Sequence, residues 1–120
     1  MTVLVVDDDV VINEVLTELL ASEGYDVVAA ADGLEGLEAF ERSAPGLVVA
    51  DVMMPRLNGQ EMVRALRSRP AGRDVPIIVI SAARAMGRED FGQDLFIEKP
   101  FDLDVFLGHV KTLSAGHPRA

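Results

Sequence analysis

Residues 3–10 read VLVVDDDV, an apolar and mostly β-branched run that stops on three consecutive aspartates. Four apolar residues without alternation fit a strand buried on both faces, as in a parallel sheet covered by helices on each side. The acids need their own account, because adjacent carboxylates repel. They stand where a buried strand ends, and the rest of the chain supplies a partner for them at Asp51.

Five short apolar runs alternate with helical patterns: residues 2–6, 26–30, 46–50, 75–81 and 94–98. In VINEVLTELLASEG the apolar residues Ile12, Val15, Leu16, Leu19 and Leu20 share one face, and Gly24 supplies a stop. GLEGLEAFERS places Leu34, Leu37 and Phe40 inward. GQEMVRALRSR offers Met62, Val63 and Leu66 before Pro70, and DLDVFLGHVKTL carries an apolar stripe behind a capping Asp102. The stretch AARAMGREDFGQ between Ser81 and Asp94 is interrupted by Gly87 and Gly92, so a fourth helix there is expected to be short or irregular. Strict alternation with short connections predicts one doubly wound, five-stranded parallel sheet with right-handed crossovers.

At 120 residues with 49% hydrophobic composition, the chain fits one domain with a continuous core. The domain is expected over residues 1–114, with 115–120 a disordered tail or truncated linker. No cysteine is present, which removes disulfides and cysteine-based zinc sites. His109 and His117 lack ligand spacing. The formal net charge of -9 argues against nucleic-acid binding, which needs a basic face. No signal-like or membrane-spanning apolar segment occurs, so a cytoplasmic location is expected.

In such sheets the crevice lies beyond the carboxyl ends of the strands. Standing there are Asp7, Asp8 and Asp9 after the first run, Asp51 after the third, Ser81 after the fourth, and Lys99-Pro100 after the fifth. Each has an ordinary explanation alone. Asp9 suits a helix cap, Asp51 a turn before Pro55, Ser81 a strand end and Lys99 the surface. Together around one crevice they suggest a cation site. Carboxylates about 4 Å apart repel by roughly 4 kcal/mol at an effective dielectric near 20. A hard divalent cation such as Mg²⁺ relieves this, and Lys99 adds charge from the far side.

The constellation resembles the receiver domain of two-component response regulators, of the chemotaxis-regulator-like kind. The motifs that carry it are VLVVDDD, LVVADVMMPRLNG (47–59), IIVISA (77–82) and FIEKPF (96–101). The resemblance implies a flavodoxin-like fold with strand order 2-1-3-4-5. It implies Asp51 as phosphate acceptor, and Mg²⁺ held by Asp7, Asp8, Asp51 and the Met53 carbonyl. Ser81 and Lys99 would contact the phosphoryl oxygens, Ser81 and Phe96 would act as the switch, and Pro100 would follow a cis bond. Gly59 would serve a turn at positive φ. Met53 and Ala83 stand where the family tunes dephosphorylation, and neither can orient water, which points to slow loss of the phosphoryl group.

The implied partners are a sensor histidine kinase or phosphotransfer protein. A homodimer or output protein would meet the face of the fourth helix, fifth strand and fifth helix. Ser81 to Lys99 spans 18 residues, fewer than the family usually has, which puts that output face in doubt. Contacts could then move to the last helix or to Met86 and Phe91. The chain is not expected to be an enzyme beyond its own phosphoryl transfer and dephosphorylation. Two alternatives stand beside this. One is a receiver-like interaction module that works without phosphate. The other is a haloacid-dehalogenase-like phosphatase, with Asp7 as nucleophile and Asp9 as acid.

Overall fold

The computed structural model of the chain describes residues 1–52, 54, 56–81 and 92–115. Its strands are β1 (Thr2–Val6), β2 (Asp26–Ala30), β3 (Leu47–Asp51), β4 (Ile77–Ser81) and β5 (Leu95–Glu98). Its helices are α1 (Val10–Ser22), α2 (Gly33–Ser43), α3 (Gly59–Arg67) and α4 (Leu103–Ala115), with a 3₁₀ turn at Pro70–Gly72. The strands form one sheet in the order β2-β1-β3-β4-β5, every neighbouring pair parallel. This is the expected flavodoxin-like architecture. The expected short fourth helix, with Ala83, Met86 and Phe91, lies outside the described residues, as does Met53.

Continuous apolar strands are buried on both faces, and the alternation of side chains sorts them into two cores. Val3, Val5, Val49, Ile78 and Ile80 meet Leu16 and Leu20 of α1 and Phe106 and Val110 of α4. Leu4, Val6, Val48, Ala50, Ile77 and Val79 meet Phe40 of α2 and Met62, Val63 and Leu66 of α3. Each fully buried aliphatic side chain contributes about 1.5–3 kcal/mol of transfer free energy. In β3 and β4 all residues are buried, which fixes their register. The pairing aligns Val6 with Ala50 and Asp51 with Ile80, so the strands end level with one another.

Two expectations need correction. Leu34 points outward and is 43% exposed. Helix α2 instead turns Gly33, Gly36, Ala39 and Phe40 inward. The reason is close approach: a Cβ on Gly36 would stand 2.7 Å from Met62 Sδ, and one on Gly33 2.0 Å from Leu57 O. Small residues let the helix settle where a leucine would hold it off. Gly59, in turn, has no positive φ. It opens α3, and a Cβ there would stand 2.1 Å from the Asp51 carbonyl oxygen. Contact with the end of β3 requires this glycine, and among the described residues of the segment the positive φ is that of Arg56, at 65°.

At the amino ends of the strands, Arg67 closes the last turn of α3. Its guanidinium donates to the carbonyls of Gly92, Gly72, Arg73 and Val75 and to the carboxylate of Asp94. Asp94 also accepts from the Ile77 amide at 2.7 Å, tying the entries of β4 and β5 together.

Candidate functional site

The three adjacent aspartates take three different roles. Asp9 caps α1: its Oδ1 accepts from the amides of Val11 at 3.0 Å and Ile12 at 3.2 Å. Asp8 is exposed at the rim. Asp7 is buried, 2% exposed, and its Oδ1 accepts from the Asp9 amide at 2.9 Å.

Because β1 and β3 are neighbours, the ends of both deliver acid to one place. Asp51, the last residue of β3, is 5% exposed. Carboxylate oxygens of Asp7, Asp8 and Asp51 lie within 4.8 Å of one another. Lys99, one residue past β5, reaches in so that Nζ stands 3.4 Å from Asp51 Oδ2 and 3.5 Å from Asp7 Oδ2. The Lys99–Pro100 peptide bond is cis. Ser81 ends β4, fully buried, between the strands that carry Asp51 and Lys99. Phe96 on β5 is half-buried against the core on the α2–α3 side, paired in register with Val79.

The electrostatics are uncomfortable. Burial pushes the Asp7 carboxyl up to about 6, and the Asp51 charge adds to the rise; the Asp9 amide and the Lys99 ammonium pull it back in part. Among the described residues, Asp7 Oδ2 is buried with no hydrogen-bond partner. A buried acceptor left so costs about 1–3 kcal/mol. Three carboxylates, one of them carrying that buried oxygen, are the donor set of a hard divalent cation with room for water ligands, so the residues fit Mg²⁺. The fourth expected ligand, the Met53 carbonyl, lies outside the described residues.

Two features escaped the sequence. Asn13 on α1 donates from Nδ2 to the carbonyls of Asp7 and Ala30, each at 3.0 Å. Asp32 caps α2, accepting from the Glu35 amide at 2.9 Å, and it pairs with the Arg56 guanidinium, whose Nε stands at 2.9 Å. The Glu35 amide, then Arg56, hold the Asp32 carboxyl below the usual range. The spacing Asp32-x-x-Glu35 and the Asn58-x-x-Glu61 capping box were legible as helix starts. The Arg56 contact was not, since nothing local announces it.

A doubly wound sheet with an acidic crevice at the switch point between β1 and β3 defines a flavodoxin-like domain built to handle charge at its carboxyl rim. Within that class the chain belongs to the response regulator receiver domain family, whose model matches residues 3–111. Among curated proteins it is 42% identical over 117 residues to the response regulator MprA of Mycobacterium leprae, covering 94% of this chain and 50% of that protein. The chain thus spans about half the length of the curated relatives it matches.

Solved structures agree. The receiver domain of a sensor histidine kinase from Pseudomonas aeruginosa PAO1, with a magnesium ion coordinated in its active-site cleft, superposes with a TM-score of 0.87 at 30% identity; 95% of this chain and 97% of that one are covered. The response regulator TrrA of Thermotoga maritima, in complex with Mg(2+)-BeF, gives 0.85 at 32% identity, covering 93% and 97%.

Proposed function

We propose that this domain accepts a phosphoryl group on Asp51 in a Mg²⁺-dependent reaction and signals by a change of conformation. The observation that carries the reading is the convergence of Asp7, Asp8 and Asp51 within 4.8 Å, with Lys99 Nζ 3.4 Å from the acceptor. The magnesium reported in the two solved relatives supports the same ion here.

Asp51 is the nucleophile: a carboxylate oxygen attacks phosphorus, and the bond from phosphorus to the donor breaks, its electron pair leaving with the donor. The product is an acyl phosphate. Mg²⁺ held by Asp7, Asp8 and Asp51 would supply Lewis acidity toward the phosphoryl oxygens. Lys99 neutralises charge on another of them, and the Ser81 hydroxyl lies on the adjacent strand to receive a third. Ser81 drawn toward the phosphoryl group vacates space for Phe96, which has no hydroxyl and is biased by packing alone. The coupling is a population shift of about 1–3 kcal/mol at most.

The donor is a sensor histidine kinase, a phosphotransfer protein or a small acyl phosphate. Val10 and Val11, each 68% exposed on the first turn of α1 beside Asp8, offer a protein donor an apolar resting place. An output protein or second copy meets the β5 and α4 side. The domain is a substrate and self-catalyst with no turnover of its own, it acts in the cytoplasm, and it loses the phosphoryl group slowly. No helix among the described residues is long and apolar enough to cross a membrane.

The phosphatase alternative is disfavoured by Asp9, whose carboxylate is engaged in capping α1. The phosphate-independent module is the alternative that labelling and Mg²⁺ binding decide against or for. Acetyl phosphate with Mg²⁺ should label wild type and leave Asp51→Asn unlabelled, read by intact mass. Labelling that persists in Asp51→Asn, or that maps to Asp7, refutes the assignment. A wild type that neither labels nor binds Mg²⁺ favours the module.

A further inference from the structure

Asp7 and Asp8 sit on a turn between β1 and α1, and a turn carrying two mutually repelling carboxylates needs something to hold it. The Asp7 amide donates to the Ala30 carbonyl at 3.1 Å, extending the β1–β2 ladder by one step past the strand ends. Beyond that step the ladder has no more strand to use, and the side chain of Asn13 takes over. One amide group, Nδ2, has two hydrogens, and both are committed: one to Asp7 O and one to Ala30 O. The backbone amide of Asn13 meanwhile donates to Asp9 O at 2.9 Å. Main chain and side chain of one residue therefore grip the carbonyls on both sides of Asp8. The orientation of the amide is set from behind, where Thr17 Oγ1 donates to Asn13 Oδ1 at 3.4 Å.

We infer that Asn13 is a positioning residue for the cation site: it fixes the turn that aims Asp7 and Asp8 at Asp51. This rests on those three carboxylates being the magnesium ligands. The chemistry is specific to an amide. Leucine or alanine would remove the side-chain donor shared by the Asp7 and Ala30 carbonyls, and the Ala30 carbonyl would keep the Asp7 amide alone of the two bonds that tie it to this turn. Aspartate, the same size, would place acceptors against acceptors. An exposed ligand such as Asp8 takes its direction from the backbone on either side, so loosening the turn spreads the ligand oxygens and weakens the ion they share.

The test compares Mg²⁺ binding by calorimetry in wild type, Asn13→Ala, Asn13→Asp and Arg67→Ala, the last a destabilising change at the opposite rim. Outer-shell partners of metal ligands typically carry about 10–100-fold in affinity, so Asn13→Ala should raise the dissociation constant about 10-fold or more while Arg67→Ala leaves it unchanged. Asn13→Asp adds a negative charge that would by itself tighten the ion; positioning demands the opposite, weaker binding than wild type. A second readout needs no metal: the Asp7 amide should lose hydrogen-exchange protection in Asn13→Ala with EDTA present, and keep it in Arg67→Ala. Equal affinities for wild type and Asn13→Ala, tighter binding by Asn13→Asp, or unchanged Asp7 protection would each overturn the inference. A wild type blind to Mg²⁺ strikes the ligand reading itself, a failure visible before any variant is made.

Discussion

At the amino ends of the strands Arg67 spreads its guanidinium over four carbonyls and the Asp94 carboxylate, with contacts from 2.6 to 3.2 Å. At the carboxyl ends Asp7 carries a buried carboxylate oxygen with no hydrogen-bond partner among the described residues, and its nearest cation stands 3.5 Å away. Both are charged groups withdrawn from water in the same small sheet. One rim satisfies its charge from within the chain. The other gathers three like charges and leaves the account open for an ion. The contrast separates stability from chemistry: the satisfied rim holds β4, β5 and α3 in place, and the unsatisfied rim is where binding energy can be gained.

The sharpest way to break this contrast is to remove its satisfied half. Arg67→Ala strips this donor from four carbonyls and removes the ion pair to Asp94. With both side chains about one-fifth exposed, water recovers part of the loss. The expected cost is about 2–3 kcal/mol in urea unfolding, or a midpoint lower by on the order of 10 °C. Arg67→Lys should rescue little, because an ammonium cannot fan out over so many acceptors. While folded, Arg67→Ala should still label with acetyl phosphate. Loss of labelling in the folded variant would show that the two rims are not separable.

The other half is broken by Asp7→Asn in metal-free protein. With the folded carboxyl at about 6 and the ordinary value at 3.8, the folded state holds its proton more tightly than the unfolded state. Stability from this group is therefore fully present below about pH 4 and is lost as pH rises through 6. The loss amounts to about 3 kcal/mol at pH 7.5. With EDTA present, Asp7→Asn should gain on wild type between pH 4.5 and 7.5, and by more than Asp8→Asn, since Asp8 is exposed. Excess Mg²⁺ should reverse the order at pH 7.5. Parallel pH profiles for wild type and Asp7→Asn would mean the carboxylate is comfortable without an ion.

How much of this was legible beforehand follows from where each contact runs. The strands were readable because VLVV, LVVA and IIVI are apolar without interruption, which only double-sided burial explains. The converging acids were readable because parallel strands end on one side, so Asp7, Asp51, Ser81 and Lys99 share a rim once the order is known. Leu34 misled because a helical period counts large apolar residues, whereas α2 packs through Gly33 and Gly36. Gly59 misled in kind: it serves close approach to the Asp51 carbonyl and not a left-handed turn. Asn13 was invisible because its partners are main-chain carbonyls, one of them 17 residues away. Such partners leave no mark in side-chain pattern.

Arg56 supplies the smallest and most discriminating effect. Its φ of 65° lies in the left-handed region, which costs a side chain with a Cβ about 1–2 kcal/mol. Against that stands its pair with Asp32, in which the arginine side chain is 58% exposed and the aspartate 10%. With the guanidinium mostly in solvent, screening leaves this pair only a small contribution. Arg56→Ala keeps the strained backbone and loses the pair, so it should destabilise slightly. Arg56→Gly loses the pair but relieves the backbone, offset in part by the greater freedom of glycine in the unfolded chain, and should come out near wild type. The Asp32 carboxyl is held low in the fold, so its contribution exists above the ordinary carboxylate range and disappears as pH falls through its folded value. The gap between wild type and Arg56→Ala should accordingly close in acid, while the gap between Arg56→Ala and Arg56→Gly, being steric, should persist. If both gaps close together, charge alone holds this loop and the backbone at Arg56 is not strained.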